Sequence, residues 1–265
     1  MRQELFARNL ALLGFNHILE DTARFVQTAL GKELVLKIKP LNSYLEIIKE
    51  FDILDEALKL QETWNLSDIY DFRRELTTTA DFSDLDPSFY RNILKNLQIF
   101  RKIKHFFSNN KTKYPQLYEL TQELLVDIEL EELIDRTIDE YGEIRSSASP
   151  ELRNIRQKLT EVRTVILTKL KKLAEANRKY LQDLEIVIKN NRFCLQVKTE
   201  NQSSILGIIH EFSQAQKTVF IEPLESITEQ NHYTKLRTLE KEEERKILKT
   251  LAHKLEQIKD RLFNS

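Results

Sequence analysis

The sequence predicts a mainly α protein: a helical core bundle, a long antiparallel two-helix lever, and a small antiparallel β-tip at the lever's end. Three observations predict it. First, the 265 residues include only four glycines and five prolines, with 31% charged and 41% hydrophobic side chains, a composition suited to long helices. Second, the later half of the chain carries two heptad-like apolar seams. Third, the stretch from Glu185 to Pro223 between those seams alternates with the period of a β-strand.

Residues 1–148 read as the helical core domain. Phe15, Ile18, Leu19, Phe25, Val26, Leu30 and Leu34 form one apolar stripe at helical spacing, stopped by Pro40. Asn42 or Ser43 can cap the next helix, which carries Leu45, Ile48, Phe51, Leu54 and Leu58. A short segment around Ile69, Phe72 and Leu76 follows. Asp86-Pro87 opens a helix with proline at its first position, carrying Phe89, Ile93, Leu97, Phe100 and Ile103 and closed by Asn109-Asn110. Helices near 115–125 and 128–139 complete the bundle, and Gly142 permits a turn.

Residues 149–184 read as the ascending lever helix. Ser149-Pro150-Glu151 is a helix start, because serine accepts from orphan backbone N–H groups and glutamate suits the positive helix end. Leu152, Ile155, Leu159, Val162, Ile166, Leu170 and Leu173 form its seam. Continued to Gln182, the helix spans roughly 50 Å. Residues 185–223 read as the β region, with a hairpin at Lys189-Asn190-Asn191-Arg192. There Phe193, Leu195 and Val197 share one face. Residues 224–265 read as the descending helix, with a seam at Leu236, Leu239, Ile247, Leu251, Leu255, Ile258 and Leu262 and with Glu243 filling the gap.

Few chemistries fit. Gly14, Gly31, Gly142 and Gly207 are too far apart for a phosphate-cradling loop, so nucleotide hydrolysis by this chain is not expected. The five histidines lack metal-ligand spacing, and the lone Cys194 can form no intrachain disulfide and implies a reducing compartment. The acidic run Asp127, Glu129, Glu131, Glu132, Asp135, Asp139 and Glu140 spreads around a helix and reads as a solvated face. With no apolar signal region at Met1–Leu5 and no long apolar run, a cytoplasmic protein without membrane contact is expected.

Basic residues are the stronger signal. Net charge is −1, so any nucleic-acid surface must be a local patch. From Pro150 to Gln182 there are nine basic and three acidic side chains. Lys172, Arg178 and Lys179 at the helix end, with Lys189, Arg192, Lys198 and Lys217 in the β region, can neutralise phosphates without reading bases. His210 is a further candidate there. The other reading is a protein-interaction module whose helices serve as a spacer.

Four segments, at 13–19, 138–156, 191–198 and 207–223, together resemble the MutS-like proteins, in particular the bacterial MutS-two subfamily. Ile138-Asp139-Glu140-Tyr141-Gly142, continuing through Ala148-Ser149 to Leu152 and Ile155-Arg156, resembles I-D-E-x-G-x-[IV]-x-D-x-A-S-x-x-L-x-x-I-R. Asn191-Arg192-Phe193-Cys194-Leu195-Gln196-Val197-Lys198 is similar to N-G-R-[YF]-x-L-P-V-K. Gly207-Ile208-Ile209-His210 through Thr218-Val219-Phe220-Ile221-Glu222-Pro223 resembles the subfamily's G-[IV]-V-H…T-x-[FY]-[IV]-E-P. Leu13-Gly14-Phe15-Asn16-His17-Ile18-Leu19 resembles its L-E-F-x-K-[IV]-L start. Departures are Ser146 in place of Asp, Gln196 in place of proline, and no glycine before Thr218.

The resemblance implies a core, a lever and a clamp that contacts duplex or branched DNA or ribosomal RNA, in a parent serving recombination suppression or ribosome rescue. It implies that the chain is an N-terminal fragment or truncated product. The ATPase, with its ATP and Mg, and often a nuclease domain would lie downstream. Within this chain it implies no catalytic, cofactor-binding or metal residues. A homodimer is implied for the parent, and a monomer or weak dimer for this chain. Mismatch specificity is not implied, since that uses a separate domain with an aromatic wedge.

Overall fold

The computed structural model describes residues 9, 10 and 12–265; the reading of Met1–Leu5 and the start of the expected core lie outside the described residues. The chain forms two compact units, one of Met1–Glu143 with Lys249–Ser265 and the other of Ile144–Leu248. It is mainly helical, with one small four-stranded sheet in the second unit.

The first unit contains helices α1 (Phe15–Ala23), α2 (Ala29–Leu36), α3 (Tyr44–Leu58), α4 (Arg73–Thr78), α5 (Pro87–Asn109), α6 (Pro115–Leu120) and α7 (Ile128–Thr137). Its centre is α5, where Asp86 accepts from the Ser88 N–H and Pro87 occupies the first helical position. The side chains of Ile93, Leu94 and Leu97 are buried with Leu76, Leu125, Ile134 and Ile138. Asn96, also buried, accepts from the Tyr70 N–H and donates to the Tyr70 C=O, which satisfies an irregular segment. Leu251, Leu255 and Leu262 of the final helix are buried in the same unit, and Lys254 pairs with Glu129.

The stripe from Phe15 to Leu34 is not one helix. Thr28 is extended and caps α2 by accepting from the Gly31 N–H at 2.9 Å. Among the stripe and α3 residues only Leu19 is buried, and Phe25 is 88% exposed. Periodicity reports an amphipathic face, not what covers it. The acidic run has structural roles: Asp127 caps α7, Glu131 is buried against Arg101 at 3.0 Å, and Asp135 meets Arg91 at 2.7 Å.

In the second unit, α8 (Pro150–Ala176) starts at the expected cap, Ser149 accepting from the Leu152 N–H. It ends before Gln182, because Leu181 is buried in the sheet and strand pairing begins there. The strands are β1 (Leu181–Lys189), β2 (Arg192–Lys198), β3 (Gly207–Phe212) and β4 (Thr218–Pro223), in the order β1-β2-β4-β3 and all antiparallel. Asn190 and Asn191 take φ of 50° and 62° in the β1–β2 turn, as a two-residue hairpin requires.

Helix α9 (Ile227–Phe263) follows. Its first turns run antiparallel to α8: Lys169 Nζ lies 2.6 Å from Glu229, and Arg156 reaches Glu240 at 2.9 Å and Glu244 at 2.8 Å. Ile155 and Leu159 pack against Leu236. The expected seam is corrected at Leu239, which is 38% exposed, whereas Glu240 is buried. Arg156 draws that carboxylate inward, and a charged pair takes the place of an apolar knob.

One face of the sheet packs on the helix pair. Phe193, Leu195, Val197, Val219 and Ile221 form one buried cluster with Ile166, Leu170 and Ala174. Gln230, 1% exposed, closes the sheet at Phe193. By register Phe193 stands opposite Pro223, which has no N–H to give. The Gln230 amide substitutes for a strand residue, accepting from the Phe193 N–H at 2.7 Å and donating to its C=O at 2.9 Å.

Candidate nucleic-acid interface

The structure sorts the candidate basic residues into two groups at opposite ends of β2. The first group lies at the β1–β2 turn, which folds back along the helices. There Phe193 meets Tyr233 of α9, ring centroids 5.5 Å apart. Lys189 Nζ is 2.8 Å from Glu211 and lies 4.5 Å over the Phe220 ring. Arg192 donates to Asn231 Oδ1 at 2.8 Å and stands 3.4 Å from Glu222. His210 Nε2 is 2.8 Å from the other oxygen of Glu222, whose residue is only 2% exposed.

These three side chains are therefore engaged within the protein. Glu222 is held by both Arg192 and His210, as a buried carboxylate must be. Beside it Cys194 is fully buried. Burial first, and then the Glu222 charge, push its thiol up to about 12. That thiol is inert at neutral pH while the sheet is closed.

The second group lies where α8 ends. Lys198 Nζ donates to the Lys179 carbonyl at 3.3 Å, and Lys179 Nζ lies 4.6 Å over the Tyr180 ring. The Lys217 carbonyl accepts from the Thr199 N–H at 3.1 Å, in the turn where Gln216 takes a φ of 52°. Lys172, Arg178, Lys179 and Lys217 are exposed or partly so, and Lys198 is half-buried. Among the described residues no carboxylate pairs with any of these five. Lys172, Arg178, Lys179 and Lys217 thus present charge to solvent without a direct ion pair, although Glu225 lines the same groove as Lys172.

Reading the sequence by cations alone missed the acids. Residues 181–223 contain four basic and five acidic side chains, so the β region as a whole is not basic. Counting Asp183, Glu185, Glu200, Glu211 and Glu222 gives that signal. Gln230 and Asn231 carry no local sequence signal, and the pairing of Arg156 with Glu240 and Glu244 is not marked by spacing along the chain. Among the described residues no helix is long and apolar enough to cross a membrane.

No model of a known protein family matches the chain. Its sequence is similar to the MutS2 protein of Bacillus subtilis strain 168, 30% identical over 262 residues, covering 96% of this chain and 33% of that protein. It is also similar to endonuclease MutS2 of Pelotomaculum thermopropionicum, 30% identical over 92% of this chain and 32% of that protein. Endonuclease MutS2 of Geobacillus sp. strain WCH70 is 31% identical over 94% of this chain and 33% of that protein. The chain spans about a third of the length of these relatives. Almost all of this chain is thus related in sequence to about a third of the length of the MutS2 proteins.

Proposed function

We propose that this chain is a non-catalytic core, lever and clamp module of a MutS-like, DNA-binding ATPase. The clamp contacts the backbone of duplex or branched DNA, or of ribosomal RNA. In the longer protein this serves recombination suppression or ribosome rescue, with ATP, Mg, nuclease action and dimerisation belonging to segments beyond this chain. The observation that carries the proposal is the cluster of Arg178, Lys179, Lys198 and Lys217, without a direct ion pair among the described residues and with Lys172 on the preceding helix, where α8 meets the sheet. Exposed cations on a rigid helix end and strand end suit phosphates at fixed spacing. Lys189, Arg192 and His210 support the sheet under this reading, because they are engaged with Glu211 and Glu222.

The test is a titration of the chain with blunt duplex, four-way junction and structured RNA. Wild type is compared with a variant carrying Arg178→Ala, Lys179→Ala, Lys198→Ala and Lys217→Ala. Affinity should fall for all three ligands by a similar factor. The protein-interaction reading is favoured by one observation, the edge strand β3 with Leu206, Ile208 and Phe212 exposed. It replaces the first if wild type and variant bind alike, or if neither binds at low salt.

A further inference from the structure

A groove of about 340 Å³ opens between the β1–β2 hairpin and the first turns of α9. One wall is apolar: Ile188, 58% exposed on the hairpin, and the rings of Phe193 and Tyr233, inclined at 72°. The other wall is cationic, with Arg237 and Lys241 one helical turn apart on α9. No carboxylate is among the residues that line it. The Lys241 ammonium has no ion-pair partner among the described residues, and neither does the Tyr233 hydroxyl have a hydrogen-bond partner. Arg237 shares Glu240 with Arg156, which keeps its guanidinium in place while leaving it half exposed.

The two walls call for a ligand that is flat and apolar at one end and anionic at the other. An inorganic anion leaves Ile188 and Tyr233 unused, and a purely apolar ligand strands the cations beside it. A base with its phosphate satisfies both, by stacking on the aromatic wall and ion pairing with Lys241 and Arg237. A base inside a duplex cannot enter, because both of its faces are already stacked. We propose that this groove takes an unpaired nucleotide of a nucleic-acid strand. The inference rests on the nucleic-acid reading above, but uses residues separate from the cations at the α8 end.

The experiment titrates the full chain with a single-stranded oligonucleotide, blunt duplex, AMP and inorganic phosphate, for wild type, Tyr233→Leu and Lys241→Gln. Lys241→Gln alters an exposed side chain and so separates binding from folding, and Tyr233→Leu keeps an apolar neighbour for Phe193. Tyr233→Leu should weaken single-strand binding by at least about fivefold, the low end for removing one base–aromatic stack; Lys241→Gln should weaken it and flatten its salt dependence; both should leave duplex binding unchanged. Unchanged single-strand affinity in both variants overturns the proposal. So does AMP binding as tightly as the strand, which makes the groove a free-nucleotide site, or phosphate binding as tightly as AMP, which makes it an anion patch. Single-strand binding that depends on Tyr233 and Lys241 without any duplex binding upholds the groove and rejects the duplex contact at the α8 end.

Discussion

Gln230→Ala tests whether a side-chain amide completes the sheet. Phe193 is buried, and its N–H and C=O have Gln230 as their partner at 2.7 and 2.9 Å. Removing the amide leaves one donor and one acceptor unsatisfied away from water, each costing about 1–3 kcal/mol. Ser226 loses its bond from Gln230 but keeps the one it donates to the Pro223 carbonyl. The sheet should therefore lose at least about 2 kcal/mol. Gln230→Met, which refills the volume but has no amide, should cost nearly as much. The single cysteine supplies the assay. Cys194 is buried in the sheet, so its labelling by a thiol reagent at neutral pH reports opening of that unit. A loss of that size corresponds to labelling faster by about thirtyfold or more. Trp64, which packs on Phe106 and Phe107 in the other unit, should keep its fluorescence. Wild-type labelling in Gln230→Ala, or full protection in Gln230→Ala with loss in Gln230→Met, would refute the amide's role.

Three further outcomes follow from the same geometry. Leu195→Ala removes a fully buried side chain at the centre of the sheet cluster and should cost about 2–5 kcal/mol, read by the same Cys194 labelling. Arg156→Met strands the buried Glu240 and should cost about 3 kcal/mol, the low end for a broken buried pair because Arg237 still reaches that carboxylate; urea unfolding followed by circular dichroism measures it. Acid should loosen the helix pair. The hydrogen bond from Lys169 holds Glu229 below its ordinary value of 4.5, and the Ser149 hydroxyl does the same for Glu243. Depressed carboxyls contribute stability above the unfolded value and lose it as pH falls through the folded one. The urea midpoint should thus drop below pH 4.5, and less so in a Glu229→Gln, Glu243→Gln variant.

Much of the fold was legible. The caps at Asp86-Pro87 and Ser149-Pro150 and the alternation in β2 stand where the sequence puts them, because each depends on neighbours within a few residues. The break at Thr28 was hidden, since the apolar spacing on either side of it stays in helical phase. The early end of α8 was hidden too, because Leu181 to Glu185 carries no alternation and is held in β1 by pairing with β2, with register shifts on either side of Asp183. At the candidate site, sequence showed which residues are basic but not which are neutralised. That depends on register, which sets Glu222 against Arg192 and His210, and Glu211 against Lys189.

The salt dependence of duplex binding tests the phosphate contact most directly. The logarithm of the binding constant is plotted against that of salt concentration for wild type and two variants. The helix-end variant, with Arg178, Lys179, Lys198 and Lys217 changed to alanine, should flatten the slope by about 0.9 for each phosphate no longer neutralised. Lys189→Gln with Glu211→Gln removes an internal pair without changing net charge, and should leave the slope at its wild-type value. A helix-end variant that keeps the wild-type slope, or a Lys189/Glu211 variant that flattens it, would contradict the assignment of the phosphate contact to the end of α8.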